Sequence, residues 1–209
     1  MCSWAIANRW HVKPGELDKQ NRLGNSFPMK ATIAIGLSIV GFVTSGFALS
    51  SEQTNGKLKI GDAIPAVAAR DQDGKQVNLA EAGKTGYTLI YFYPKAMTPG
   101  CTAQACSLRD SYSDLQQKGV KIFGISLDTV ADQKKFQEIN HLPFELLSDS
   151  EKAVTSAFGV PLIKNAFATR QAYLFKDGKL VWLDTKASTD KQAQDLLTVL
   201  KSQQEKSAS

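Results

Sequence analysis

The chain has 209 residues, of which 43% are hydrophobic and 22% are charged. This composition is ordinary for a globular protein, and the length suits one well-buried domain with appendages. The formal net charge is +5, but residues 1–48 hold five Lys/Arg against two Asp/Glu, which leaves 20 basic and 18 acidic side chains in the remainder. A domain in which basic and acidic side chains are so nearly equal in number lacks the basic surface that binds nucleic acid. Nucleic acid is therefore excluded as a partner.

The basic excess lies beside an apolar segment near the N-terminus. Residues 29–48 begin with Met-Lys, continue through an apolar run and end in Gly-Phe-Ala. A positive start, an apolar middle and a small-x-small end are typical of a secretory signal peptide, so we expect cleavage after Ala48 and export to a periplasmic location. Two alternatives stay open. A buried core helix is disfavoured by the polar sequence that follows at once, and an uncleaved anchor would leave the domain on the extracytoplasmic side of a membrane.

The segments on either side of this leader carry no recognisable chemistry. Residues 1–28 show no periodicity, and because a signal normally starts near its own methionine, Met29 is a candidate for the true start. Residues 49–57 are mostly polar and are expected to form a flexible lead-in. The folded domain is predicted to cover residues 58–204.

Strand and helix patterns alternate along this domain. The predicted strands are Gln76–Leu79, Tyr87–Tyr93, Val120–Leu127, Phe144–Leu147, Gln171–Phe175 and Leu180–Asp184. The predicted helices are Cys101–Gln117, Ala131–Ile139, Glu151–Phe158 and Thr189–Gln204. The run YTLIYFY is apolar almost throughout, which indicates a central strand buried on both faces, and Asp177-Gly178 marks a hairpin. This order predicts an α/β fold with a mixed central sheet flanked by helices.

Two cysteines stand five residues apart at the start of a predicted helix. Cys101 and Cys106 could form a structural disulfide, but two helical residues at this spacing have Cα atoms about 8–9 Å apart, whereas disulfides need less than about 7 Å. A metal site would need more ligands than these two cysteines and His141 supply. A thioredoxin-like disulfide exchanger usually has two residues between its cysteines, and here there are four.

A peroxide-reducing thiol is the fourth interpretation of this pair. Cys101 falls in the first helical turn, where unpaired N–H groups and the helix dipole favour a thiolate. Pro94 and Pro99 stiffen the loop before Cys101, and Gly100 lets its backbone come close. Thr98 can donate its hydroxyl to the sulfur or to a peroxide oxygen. Cys106 would be the second thiol that rescues the oxidised sulfur.

The segment Tyr91–Asp110, YFYPKAMTPGCTAQACSLRD, resembles the active-site segment of the peroxiredoxins. It is similar in particular to the bacterioferritin-comigratory-protein/Q branch, in which a Pro-x-x-x-Thr-x-x-Cys motif is followed five residues later by a resolving cysteine. Pro94, Thr98, Cys101 and Cys106 fall on that pattern. The resemblance extends over roughly residues 58–200, and the matching stretches outside the motif are Leu58–Pro65, Gly124–Asp128 and Pro143–Asp149.

The resemblance implies a thioredoxin-like fold and a thiol-dependent peroxidase acting on hydrogen peroxide and organic hydroperoxides. It implies an intramolecular Cys101–Cys106 disulfide, re-reduction by a thioredoxin-type protein, and neither a metal nor an organic cofactor. Arg170 occupies the place of the family's active-site arginine. Because the resolving cysteine lies in the same helix, no dimer is needed and a monomer is expected.

The sequence departs from the family pattern in two places. Ala96 and Met97 replace more polar residues, and the stretch from Val160 to Thr169 is short and apolar, so the loop that carries Arg170 could differ. Two competing functions are kept at this point. An exported thiol-disulfide oxidoreductase would exchange protein disulfides without peroxide, and a non-catalytic domain would hold a static bridge resistant to mild reductant.

Overall fold

The computed structural model of the protein describes residues 56–208. The expected N-terminal extension at 1–28, the signal segment at 29–48 and nearly all of the lead-in at 49–57 lie outside the described residues. Among residues 56–208, no helix combines the length and the apolar character needed to cross a bilayer.

A seven-stranded mixed sheet forms the centre of the described part of the chain. Its strands, in chain order and together with the two strands of a separate hairpin, are β1 (Ala68–Asp71), β2 (Gln76–Asn78), β3 (Tyr87–Phe92), β4 (Val120–Ser126), β5 (Glu145–Ser148), β6 (Leu162–Ile163), β7 (Phe167–Ala168), β8 (Gln171–Lys176) and β9 (Lys179–Asp184). The spatial order in the sheet is β2-β1-β5-β4-β3-β8-β9, with β6 and β7 paired to each other outside it. The strands β3, β4 and β5 run parallel, and the remaining pairs are antiparallel.

Helices cover both faces of this sheet. They are α1 (Leu79–Ala82), α2 (Pro99–Asp110), α3 (Tyr112–Gln117), α4 (Val130–Asn140), α5 (Ala153–Ala157) and α6 (Gln192–Ala208). The central strand β3 contributes Leu89 and Tyr91 to one buried cluster, and Ile90 and Phe92 to the other. Because all four side chains are fully buried, the prediction of a central strand buried on both faces is confirmed.

The predicted α/β fold with a mixed central sheet and flanking helices is confirmed, and most predicted elements are present with ends shifted by a few residues. The hairpin turn between β8 and β9 has Asp177 and Gly178 both at positive φ, 48° and 75°, as a two-residue turn between twisted strands requires. Three features carried no periodic signal and were missed, namely strand β1, helix α1 and the β6–β7 hairpin.

The prediction of one continuous helix over Cys101–Gln117 is wrong. Helix α2 ends at Asp110, Ser111 has φ −101° and ψ 8°, and α3 begins at the next residue. The hydrogen bonds from the Ser111 amide to the Ser107 carbonyl, at 3.3 Å, and from the Leu115 amide to the Ser111 carbonyl, at 3.1 Å, persist across the break. The apolar face therefore continues through it, which is why hydrophobic spacing could not reveal the interruption.

Candidate active site

Cys101 lies in the first turn of α2, directly behind the loop that leaves the central strand β3. Thr98 precedes the helix, Pro99 is its first residue, and the first helical bond runs from the Thr102 amide to the Thr98 carbonyl at 2.9 Å. The amides of the first turn precede this ladder and point out of the helix start. Cys101 is a free thiol with only 2% of its surface exposed, so a large reactant has little direct access to it.

Arg170 reaches the same sulfur from the neighbouring strand. β8 pairs antiparallel with β3, and Gln171, its first residue, lies opposite Phe92, the last residue of β3. This register places the residue before β8 beside the loop that leads to Cys101. The Nη2 atom of Arg170 lies 3.4 Å from the Cys101 Sγ atom. At this distance the Arg170 guanidinium donates a hydrogen bond to the sulfur.

Two glutamines connect Arg170 to the last helix through hydrogen bonds. Arg170 Nη1 donates to the Oε1 atom of Gln104, one turn after Cys101, and Gln104 Nε2 donates to the Oε1 atom of Gln192 at the start of α6. Gln104 and Gln192 are 0% and 1% exposed, so both bonds lie within the protein interior. This hydrogen-bonded chain joins α6 to the guanidinium beside the sulfur.

The loop before Cys101 is held by a carboxylate from the neighbouring parallel strand. Asp128, just after β4, accepts a hydrogen bond from the Ala96 amide at 2.7 Å and one from the Ser126 hydroxyl at 2.7 Å. Met97 follows with φ 63°, a left-handed conformation that costs a non-glycine residue roughly 1 kcal/mol or more. The anchored amide keeps the loop in this conformation beside the thiol.

Pro94 and Thr98 lie in this loop, and both are half-buried. Thr98 makes no side-chain cap bond to α2, and its hydroxyl instead donates to the Lys95 carbonyl at 2.9 Å. Since the hydroxyl proton is committed to Lys95, the Thr98 oxygen is left with lone pairs that can accept a hydrogen bond. The role predicted for Thr98 as a donor to the sulfur is not seen in this structure.

Two buried tyrosines belong to the same core cluster as Cys101. Tyr91 lies in β3, and Tyr93 follows just after that strand. Burial raises the pKa of Tyr91 well above its usual value, and the proximity of Tyr93 and Cys101 adds to that rise while Arg170 opposes it. Burial likewise raises the pKa of Tyr93, whose hydroxyl donates to Gln133 of α4. Both phenols therefore stay neutral over the working pH range, and Arg170 is the charged group in contact with the sulfur.

Cys106 lies further along the same helix and is 8% exposed. Since α2 is continuous from Pro99 to Asp110, the Cα atoms of the two cysteines are separated by about 8–9 Å, too far for a disulfide. Arg109 fastens the end of this helix, because its Nη1 atom donates to the Asn140 carbonyl at 2.9 Å. The end of α2 distal to Cys101 is thus tied to α4.

No group of three or more metal-ligating side chains occurs within residues 56–208. What those residues assemble is a buried thiol at a helix start, a guanidinium in contact with its sulfur and a second cysteine on the same helix. The fold and the site together define a thioredoxin-like protein with a buried cysteine at the start of a helix beside its central strand.

Comparison with known proteins identifies the family. The model of the AhpC/TSA family matches residues 60–183, more than half of the chain. The chain belongs to this family, in its branch of bacterioferritin-comigratory proteins and Q-type peroxiredoxins, which confirms the resemblance seen in the sequence.

Three relatives illustrate the similarity. Peroxiredoxin Bcp of Escherichia coli strain K12 is 50% identical over 103 residues, which is 49% of this chain and 65%, less than two thirds, of that protein. The chloroplastic peroxiredoxin Q of Oryza sativa subsp. japonica is 39% identical over 152 residues, 70% of this chain and 69% of that protein. The solved structure of the Xanthomonas campestris bacterioferritin comigratory protein has a TM-score of 0.64 and 28% identity, covering 70% of this chain and 97% of that one.

The structure brings together Cys101 and Arg170, places Pro94 and Thr98 in the adjoining loop and puts Cys106 on the same helix. Reasoning from the sequence missed Gln104 and Gln192, although a glutamine one turn after the thiol was an available signal for Gln104. The Arg109 side chain, which fastens the distal end of α2, is only 17% exposed.

Proposed function

We propose that the protein is a thiol-dependent peroxidase in which Cys101 reduces hydroperoxides. The observation that carries the proposal is the buried, free Cys101 thiol at the start of α2 with the Arg170 guanidinium 3.4 Å from its sulfur. A small peroxide can enter a site where the cysteine is 2% exposed, whereas a protein disulfide cannot reach its sulfur without a prior opening. This favours peroxide chemistry over exchange with protein disulfides.

In the first step the Cys101 thiolate attacks one peroxide oxygen. A sulfur–oxygen bond forms, the O–O bond breaks, and the leaving oxygen takes a proton and departs as water or an alcohol. Arg170 and the first-turn amides of α2 donate to the oxygen on which negative charge develops. Thr98 accepts a hydrogen bond from the peroxide O–H, because its own proton is directed to the Lys95 carbonyl. The product is a sulfenic acid on Cys101.

In the second step Cys106 resolves this sulfenic acid. Once Cys106 is in its reduced form, its sulfur bonds to the Cys101 sulfur, the S–O bond breaks, and the released hydroxide leaves as water with the proton that Cys106 gives up. Because the two residues are five apart on a continuous helix, the first turns of α2 must unwind before the bond can form. The distal end of α2, fastened by Arg109, can remain in place.

We expect Cys106→Ser to consume about one equivalent of peroxide per chain and then stall. The attacking thiol and its Arg170 contact remain, but the sulfenic acid has no internal partner. Peroxide loss measured against protein concentration, with intact-mass detection of a single added oxygen, tests this. Unimpaired multiple turnover by this variant with a dithiol protein as the only reductant would contradict the resolving role of Cys106.

For the substrates and the electron donor, we propose hydrogen peroxide and alkyl hydroperoxides with a thioredoxin-type protein. The Xanthomonas campestris relative is described as having alkyl peroxide reduction activity. A dithiol protein is suited to the second half of the cycle because it can reduce an intramolecular disulfide through a mixed disulfide. With both cysteines on one helix, a single chain contains the whole redox pair, which supports a monomer.

We further propose that the protein is exported and that residues 29–48 are removed. The support is the pattern of this segment, with its Met-Lys start, apolar run and Gly-Phe-Ala end. Mass spectrometry of the protein recovered from fractionated cells is expected to find Leu49 as the N-terminal residue in an extracytoplasmic fraction. A chain that retains residues 29–48 and sediments with membranes would instead indicate an anchor.

A further inference from the structure

The start of α6 contacts the part of α2 that the proposed cycle requires to unwind. Gln192, the first residue of α6, accepts a hydrogen bond from Gln104, and the Ala193 amide donates to the Ser107 hydroxyl at 3.3 Å. The approach to α6 packs there too, since a Cβ atom built on Gly100 would lie 3.4 Å from the Thr189 methyl group. On the side of α2, all three contacts are made by residues between Gly100 and Ser107.

Arg170 determines the direction of the hydrogen bonds that link it to Gln104 and Gln192. An arginine only donates, so Arg170 fixes the carbonyl of Gln104 towards itself. The amide group of Gln104 must then face Gln192, which must present its oxygen. Within the described part of the chain, the buried Nε2 atom of Gln192 has no hydrogen-bond partner. The Gln192 side chain is therefore bound through its acceptor oxygen, at the cost of leaving its own donor unpaired.

We propose that Gln192 is a positioning residue that latches the first turns of α2 to α6. While the latch is closed, Gln104 is oriented towards Arg170 and Cys101 is held in its peroxide-reactive place. When α2 unwinds to bring Cys101 to Cys106, the Gln104–Gln192 bond must break. The latch thus sets how often the first turns of α2 unwind. Only the effect of this unwinding on the oxidised Cys101 rests on the proposed function.

The consequence is a competition for the sulfenic acid of Cys101. Either Cys106 displaces its oxygen to give the disulfide and water, or a second hydroperoxide transfers one oxygen to it, which gives a sulfinic acid and an alcohol or water. A closed latch delays the disulfide and so gives the second peroxide more time. Weakening the latch should shift the oxidised product towards the disulfide.

The test begins with hydrogen exchange of the reduced full chain, read on peptides that cover residues 99–108. Gln192→Met removes the acceptor at nearly constant size, and exchange in these peptides is expected to quicken about fivefold, the scale of one lost hydrogen bond. Gln194→Met is the matched control, since it makes the same change two residues along α6 at an exposed position, and it should leave exchange unaltered. In a Gln104→Met background the Gln192→Met change should add nothing further, because the bond is already absent.

The second readout is the ratio of disulfide to sulfinic acid after a pulse of excess hydrogen peroxide, measured by mass spectrometry. Gln192→Met should raise this ratio about fivefold, in step with the faster opening expected from one lost hydrogen bond, while Gln194→Met keeps the wild-type ratio. Unchanged exchange over 99–108 in Gln192→Met, or equal effects of the two variants, would overturn the latch. If the wild-type chain does not react with peroxide at all, the proposed function fails, and the exchange experiment still decides the latch.

Discussion

Replacing Cys101 by serine is expected to abolish peroxide turnover, with a loss of about 10³-fold or more. A serine hydroxyl stays protonated at neutral pH, so it needs a general base to become a nucleophile. The tyrosines nearby are held neutral by burial, and Arg170 only donates. Without an anionic nucleophile the O–O bond is not attacked. The measurement is peroxide consumption with a thioredoxin-type reductant in excess.

Cys106→Ser is the appropriate control for this variant. It also replaces a buried cysteine of α2 by serine, so any general disturbance of the helix is common to both. The two differ in the first turnover, because Cys106→Ser should still consume about one equivalent and Cys101→Ser none. If Cys101→Ser kept the wild-type rate, the nucleophile would lie elsewhere and the proposed function would be wrong.

Much of the fold could be predicted from local sequence because local physics determines it. The run in β3 is apolar at successive positions, which only a strand covered on both faces can satisfy, and Asp177-Gly178 supplies the positive φ values of a tight hairpin. Strand β1 was not predicted because apolar and polar residues do not alternate in Ala-Ala-Arg-Asp. Its extended conformation depends on pairing with β2 and β5. Such pairing is a property of the assembled sheet.

The features of the site also differ in whether local sequence or the assembled sheet determines them. The place of Cys101 at a helix start follows from neighbouring residues, so the sequence alone could indicate its chemistry. The contact with Arg170 depends on the register that puts Gln171 opposite Phe92, which local patterns do not encode, and only the family resemblance singled that arginine out. The bond between Gln104 and Gln192 joins residues 88 apart in the chain, and nothing in the sequence indicated it.

Removing the Arg170 guanidinium is expected to slow the peroxide reaction by about 10²–10³-fold, the usual effect of deleting one donor to a developing oxyanion. Arg170→Met preserves much of the aliphatic stem but loses both the Nη2 contact to Cys101 and the Nη1 bond to Gln104. Arg170→Lys keeps the charge without the planar fork, so it cannot make both contacts at once, and its rate should fall between those of Arg170→Met and the wild type. The second-order rate constant with hydrogen peroxide, measured by stopped flow before the disulfide forms, reports this step alone.

Arg70→Met makes the same chemical change on an exposed strand residue and should leave that rate constant unaltered. The loss in Arg170→Met should also appear in alkylation of Cys101 by iodoacetamide, because the variant removes a donor that contacts the attacking sulfur itself. A variant slow with peroxide but normal in alkylation would show that Arg170 acts on the leaving oxygen and not on the sulfur. Normal rates in both reactions would mean that the 3.4 Å contact has no part in the chemistry, and the case for a peroxide site built around Cys101 and Arg170 would fail.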